Sequence, residues 1–133
     1  MELLDLPRLQ HVARGYPEAQ LIVLFGSVAR GASRPTSDVD VAVAGLPFWR
    51  GLDLGARIGA AIGREPHVVE LERASDWLRY LVARDGVLLH EGAPDAWACF
   101  QAEAALRYFD LAPIIARCAE GARRALAAGG ARG

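Results

Sequence analysis

Two aspartates spaced by two, Asp38 and Asp40, follow a Gly26-Ser27 dipeptide in the stretch LIVLFGSVARGASRPTSDVDVAVAG. Side chains alternate along a strand, so both carboxylates project to one face while Val39, Val41 and Val43 pack on the other. Neighbouring carboxylates repel each other. A divalent cation between them supplies the compensating charge. Gly26 lets the backbone approach a ligand closely, and a helix starting at Ser27 offers free N–H groups suited to phosphate. A phosphate cradle beside a metal clamp reaches as far as metal-dependent nucleotide binding. One chemistry such a site could run is nucleotidyl transfer, in which a hydroxyl attacks the α-phosphorus of a nucleoside triphosphate and pyrophosphate leaves. Two divalent ions about 3.5–4 Å apart stabilise both ends of such a displacement. Asp38 and Asp40 would hold them. Ser27 and the N–H groups behind Gly26 would hold the β- and γ-phosphates. Arg30, one helical turn further on, is placed to reach a phosphate and equally placed to be a solvated surface arginine.

Gly-Ser and Asp-x-Asp are each common and unspecific. Their specificity comes from the two apolar runs that flank them, Leu21 to Phe25 and Val39 to Ala44, both of strand length. Upstream, Asp5 caps a helix running to about Arg14, with Pro7 in its first turn and Gly15 at its end. Leu54, Ile58 and Ile62 recur every four residues, which predicts a helix over about Trp49 to Gly63. His67 to Leu71 reads as a third strand. Ser75 caps a helix to about Arg84, and Val87 to His90 reads as a short fourth strand. From Pro94 to about residue 128 the pattern is helical, with Pro113 expected to kink or divide it. Residues 129–133, rich in glycine, are expected to be a disordered tail. The whole reads as one α/β domain, a small mixed sheet flanked by helices with a C-terminal helical segment.

Composition narrows the field. A chain of 133 residues with net charge −1 has no global cationic field for nucleic acid. All fifteen basic residues are arginine, so a phosphate loop of the G-K-[ST] type is excluded. Cys99 and Cys118 lack zinc or disulfide spacing and read as small core residues. No signal peptide or membrane-length apolar run is visible, which points to the cytoplasm. His11 and His90 have no constellation around them. Trp49, Trp77 and Trp97 read as core or interface anchors, with Phe48-Trp49 the aromatic pair expected nearest the site.

The pattern G-S-x10-D-x-D, with Ala29, Arg30, Gly31 and Ser37 as accessory letters, resembles the minimal nucleotidyltransferases (MNT) of the DNA polymerase β superfamily. HVVELERA and RDGVLLHEG resemble that family's second half. The likeness runs from about Leu21 to Gly92 and more weakly beyond. It implies a polymerase β-like nucleotidyltransferase fold over residues 1–128, with 94–128 as the C-terminal helical segment. It also implies two Mg²⁺ ions, ATP as substrate, and a phosphate-side place for Ser37 with Gly26, Ser27 and Arg30. The superfamily adds a third acid on a later strand, as metal ligand and general base. Relatives read V-D-L-V-D-L-N-R-A where this chain reads PHVVELERA. His67 stands at the first aspartate position and Glu70 at the second, and on a strand the two face opposite ways. Glu70 is taken as the third acid. Glu72, on the face of Glu70, and His67 remain as alternatives.

MNT proteins of this size resemble the antitoxin half of HEPN/MNT toxin–antitoxin pairs. That resemblance implies transfer of AMP from ATP to a tyrosine hydroxyl near the ribonuclease site of a HEPN toxin. The added charge would repel RNA. Two other readings stay open. One is a small-molecule nucleotidyltransferase of the aminoglycoside type, although only about forty residues follow Gly92 to enclose a sugar. The other is a non-catalytic antitoxin that neutralises its partner by binding. The exposed C-terminal stripe would suit a homo-oligomer or a hetero-oligomer.

Overall fold

Helix α1 (Leu6–Ala13) starts where Asp5 accepts a hydrogen bond from the Arg8 N–H at 3.2 Å, with Pro7 in the first turn where its missing N–H costs nothing. The computed structural model describes residues 5–26, 39–64 and 66–132. After α1 come β1 (Leu21–Phe25), β2 (Val39–Ala44), α2 (Phe48–Ile62) and β3 (Pro66–Glu70). A 3₁₀ turn (Leu71–Arg73), α3 (Asp76–Asp85), β4 (Val87–Glu91) and α4 (Ala96–Arg132) complete the chain. Helix α2 ends on Gly63, whose φ of 67° is the left-handed stop that glycine adopts without strain. Ser75 caps α3 by accepting from the Leu78 N–H at 3.1 Å.

The four strands lie in the order β3-β2-β1-β4. Strand β1 is antiparallel to both β2 and β4, whereas β2 and β3 are parallel. A parallel pair needs a crossover, and α2 supplies it. Its glycines bring it close to the sheet: a Cβ at Gly55 would meet Val68 at 3.0 Å. Strand alternation builds one core on each face. Val39, Val41 and Val43 meet Leu9, Tyr16, Leu54 and Ile58 on the α1–α2 side. Leu21, Val23, Ala42 and Ala44 meet Leu71, Val82 and Phe100 on the α3–α4 side.

Tyr16 locks α1 to α2. Its ring is fully buried, its hydroxyl donates to Asp53 Oδ2 at 2.5 Å, and the Arg50 guanidinium lies 4.3 Å from the ring centre. Burial raises the pKa of the Tyr16 phenol, and the Asp53 carboxylate raises it further. Arg50 also reaches Glu18 at 2.7 Å and thereby lowers the pKa of that carboxyl.

Three expectations change in the C-terminal region. Pro113 does not divide the segment, because α4 is continuous from Ala96 to Arg132. Pro113 is exposed, so water can satisfy the carbonyl one turn back that loses its N–H partner. The same helix runs through residues 129–132, which composition had suggested were a disordered tail. Cys99 and Cys118 are exposed, not core residues, since they fall on the outer side of this helix. Helix α4 packs on α3 through aromatic rings, with Tyr80 and Tyr108 stacked at 4.3 Å and Trp77 5.5 Å from Tyr108. Among the described residues, no helix is long and apolar enough to cross a membrane.

Candidate active site

The end of β1 and the start of β2 meet at one edge of the sheet. In the antiparallel register Phe25 pairs with Asp40, so Gly26 turns away beside that carboxylate. Gly26 has a φ of 84°, in the left-handed region. A side chain there would collide with the Asp40 carboxylate. Glycine is therefore required twice at this position, for the turn and for the acid beside it.

Strand β3 supplies the other neighbour. Its parallel register pairs Asp40 with His67. The imidazole Nδ1 lies 3.7 Å from Asp40 Oδ1, with the His67 side chain 75% exposed and that of Asp40 30% exposed. Asp40 is thus partly withdrawn from solvent, which strengthens its interaction with any cation that reaches it. Ser27, Arg30, Ser37 and Asp38 lie outside the described residues. Among the described residues, no three His, Cys, Asp or Glu side chains converge as a metal-binding group. The donor set described at this edge is the carboxylate of Asp40 and the imidazole of His67.

Glu70, taken from the sequence as the third acid, is not brought to Asp40. It pairs with Val43, three residues further along β2, a separation of about 10 Å, and it points to the opposite face. There it meets Arg73 Nε at 3.3 Å and lines a surface groove of about 620 Å³ with Phe48, Val68 and Leu78. Phe48 and Trp49 are 70% and 67% exposed at the start of α2, beyond the far end of β2, so they do not border Asp40. Glu72 is committed elsewhere, since it accepts the Gly45 N–H at 2.6 Å and ties down the end of β2. Of the three candidates for the third position, only His67 shares an edge and a face with Asp40. The sequence carried the residue but not the register, because nothing local says which residue of β3 lies beside Asp40.

Comparison with known proteins supports this architecture. Residues 8–95 match the family described as "Polymerase beta, Nucleotidyltransferase". No curated protein matches significantly. Among solved structures, a chain from a toxin–antitoxin complex with AMP-PNP superposes with a TM-score of 0.73 at 24% identity, over 90% of this chain and 99% of that one. A chain from a complex of tri-AMPylated Shewanella oneidensis HEPN toxin with MNT antitoxin gives a TM-score of 0.66 at 22% identity, over 90% and 97%. The MntA–HepT toxin–antitoxin structure gives 0.66 at 22% identity, over 90% and 97%. Likeness at this level of identity establishes the fold.

Proposed function

Since this chain belongs to the polymerase β nucleotidyltransferase family, we propose that it is an Mg²⁺-dependent protein adenylyltransferase, the antitoxin partner of a HEPN ribonuclease toxin. The observation that carries the reading is the Gly26 turn set against the Asp40 carboxylate at the sheet edge, inside the matched segment. The similar structures support the partner: they are described as toxin–antitoxin complexes, one holding AMP-PNP and one an AMPylated HEPN toxin. The reaction would take place in the cytoplasm, where the toxin meets RNA.

Asp38 and Asp40 are the proposed metal ligands. Mg²⁺ bound there would neutralise charge on the phosphoryl oxygens of ATP. Gly26 keeps the backbone close to the triphosphate. Ser27 and the N–H groups after it bind the β- and γ-phosphates, with Arg30 and Ser37 beside them. This grip holds the α-phosphorus in line with the incoming tyrosine hydroxyl. The hydroxyl oxygen bonds to that phosphorus as its proton passes to solvent water. The bond to the bridging oxygen of the β-phosphate breaks, and pyrophosphate leaves with the electron pair. The AMP on the toxin adds negative charge and bulk where RNA would bind.

A second reading is favoured by one specific observation. An imidazole, not a carboxylate, stands beside Asp40. A chain with no third acid beside Asp40 among its described residues could neutralise its partner by tight binding alone. Incubation of the full chain with its HEPN partner, ATP and Mg²⁺, read by intact mass, separates the two. Gain of AMP units on the partner, lost with Asp40→Asn, supports the transferase. A stable complex with no mass gain overturns it in favour of the binding antitoxin.

A further inference from the structure

We propose that this chain forms a two-fold symmetric dimer through the outer edge of β3 and the flank of α2 above it, joining two four-stranded sheets into one. The chemistry at Asp40 plays no part in it.

Strand β3 stands at the end of the sheet and pairs with β2 alone among the described residues. All its residues are half-buried or exposed, whereas β1 and β2 are almost wholly buried. A groove of about 620 Å³ follows it between Phe48 and Leu78. An uncovered edge strand presents a row of backbone N–H and C=O groups, which another strand satisfies in series. Pro66 removes a donor only at the first position of β3.

The flank of α2 selects the occupant. Helix α2 carries three charged residues, Arg50, Asp53 and Arg57, and all three gather at Tyr16 on the α1 side. The flank beyond β3 holds Phe48, Leu52, Ala56 and the terminal Gly63, all exposed and none charged. Phe48 and Leu52 are the bulky end. At the other end a Cβ on Gly63 would meet nothing within 4 Å. The strip therefore tapers from large to empty. Antiparallel packing on an inverted copy sets Phe48 against Gly63, Leu52 against Gly59 and Ala60, and Ala56 against Ala56. Such a taper fits itself, which is what an isologous interface requires.

Strand and helix call for the same axis. A Cβ at Gly55 would meet Val68 at 3.0 Å, and one at Gly51 would meet it at 3.8 Å. The middle of α2 thus lies over the middle of β3. A two-fold axis normal to the sheet at Val68 pairs that residue with its own copy and passes close to Ala56. Helix α2 packs on β2 through Leu54 and Ile58 and on β3 through its glycines, so it sits about midway between them. With strands about 4.8 Å apart, the two α2 helices come to about 9.6 Å. Packed helices stand about 8–10 Å apart. The pairing also sets Glu70, at the end of one strand, across from the start of the other, where Arg64 precedes Pro66 with the opposite charge.

Sedimentation equilibrium of the full chain alone tests this. The expected species is a dimer at micromolar concentration. Leu52→Glu and Ala56→Arg should each weaken it by about a hundredfold or more, since each buries an unpaired charge near the axis. Both positions are exposed, so the variants should keep the fold, with far-ultraviolet circular dichroism as the check. With Cys99→Ser and Cys118→Ser in place, Ala56→Cys should link two chains on mild oxidation, and Arg107→Cys, on α4, should not. A wild-type chain that stays monomeric up to tenth-millimolar concentration overturns the proposal. So does a dimer indifferent to both added charges, or one that links through Arg107→Cys and not through Ala56→Cys. Should the chain be monomeric and Leu52→Glu release its HEPN partner, the face docks the toxin and the proposal falls.

Discussion

The two ends of β2 use the same residue types for opposite purposes. At its start Gly26, with φ 84°, sits beside the carboxylate of Asp40. At its finish Gly45, with φ 78°, sits beside the carboxylate of Glu72. At the finish, glycine and acid bind each other, because the Gly45 N–H donates to Glu72 Oε2 at 2.6 Å. At the start, glycine only makes room, and the acid faces a largely exposed imidazole across 3.7 Å. The first arrangement is a fastening. The second sets a carboxylate and an imidazole side by side at the sheet edge. A positive-φ glycine next to an acid therefore does not by itself identify a functional site, since at Gly45 the same pair is a structural tie.

The largest effect should come from the acid at the start of the strand. Asp40→Asn is expected to lower AMP transfer to the partner by about a thousandfold or more, measured as initial rate by intact mass. Its melting temperature should change little, because asparagine keeps the side chain's size and one acceptor oxygen. A large loss of stability would make Asp40 part of the scaffold and erase the contrast.

The glycines come next, and they differ in what yields. At Gly26 the new methyl would strike the tip of a flexible side chain. Rotation of Asp40 relieves that clash but misplaces the metal ligand. Gly26→Ala should cost about 1–2 kcal/mol of stability for the left-handed backbone, and about a hundredfold in transfer rate. At Gly45 the methyl would lie 3.0 Å from the backbone nitrogen of Gln20, which is itself bonded to the Ala44 carbonyl at 2.8 Å. Main chain must shift there. Gly45→Ala should cost about 2–3 kcal/mol by urea unfolding, with the transfer rate per folded molecule unchanged.

How much of this was visible in the sequence follows from the range of each interaction. The flanking apolar runs, the Asp5 and Ser75 caps and the Gly63 stop are local, and the elements formed where those signals lie. The mixed sheet followed from the order of those elements. The neighbour of Asp40 was not visible. Residues 40 and 67 are brought together by packing of α2 across Val68, and a shift of one residue in β3 would have turned His67 to the other face. Pro113 misled for a related reason: its cost depends on whether water can reach the freed carbonyl, and exposure is a property of the folded chain. The cysteines misled because alanine-rich stretches of α4 carry too weak an apolar stripe to say which side is covered.

The smallest effect tests the fastening itself. Glu72 is exposed, and its carboxylate accepts one backbone N–H. Glu72→Gln keeps an acceptor oxygen but removes the charge that strengthens the bond. The loss should be about 0.5–1 kcal/mol, read from a urea midpoint that moves without a change in slope. Transfer should proceed at the wild-type rate, since Glu72 lies at the far end of β2 from Asp40. A fall in rate with no fall in stability would mean that Glu72 leaves Gly45 to serve the chemistry. In that event the two ends of β2 would no longer differ in kind, and the third acid sought from the sequence would have been found in a residue that the resting structure keeps tied down.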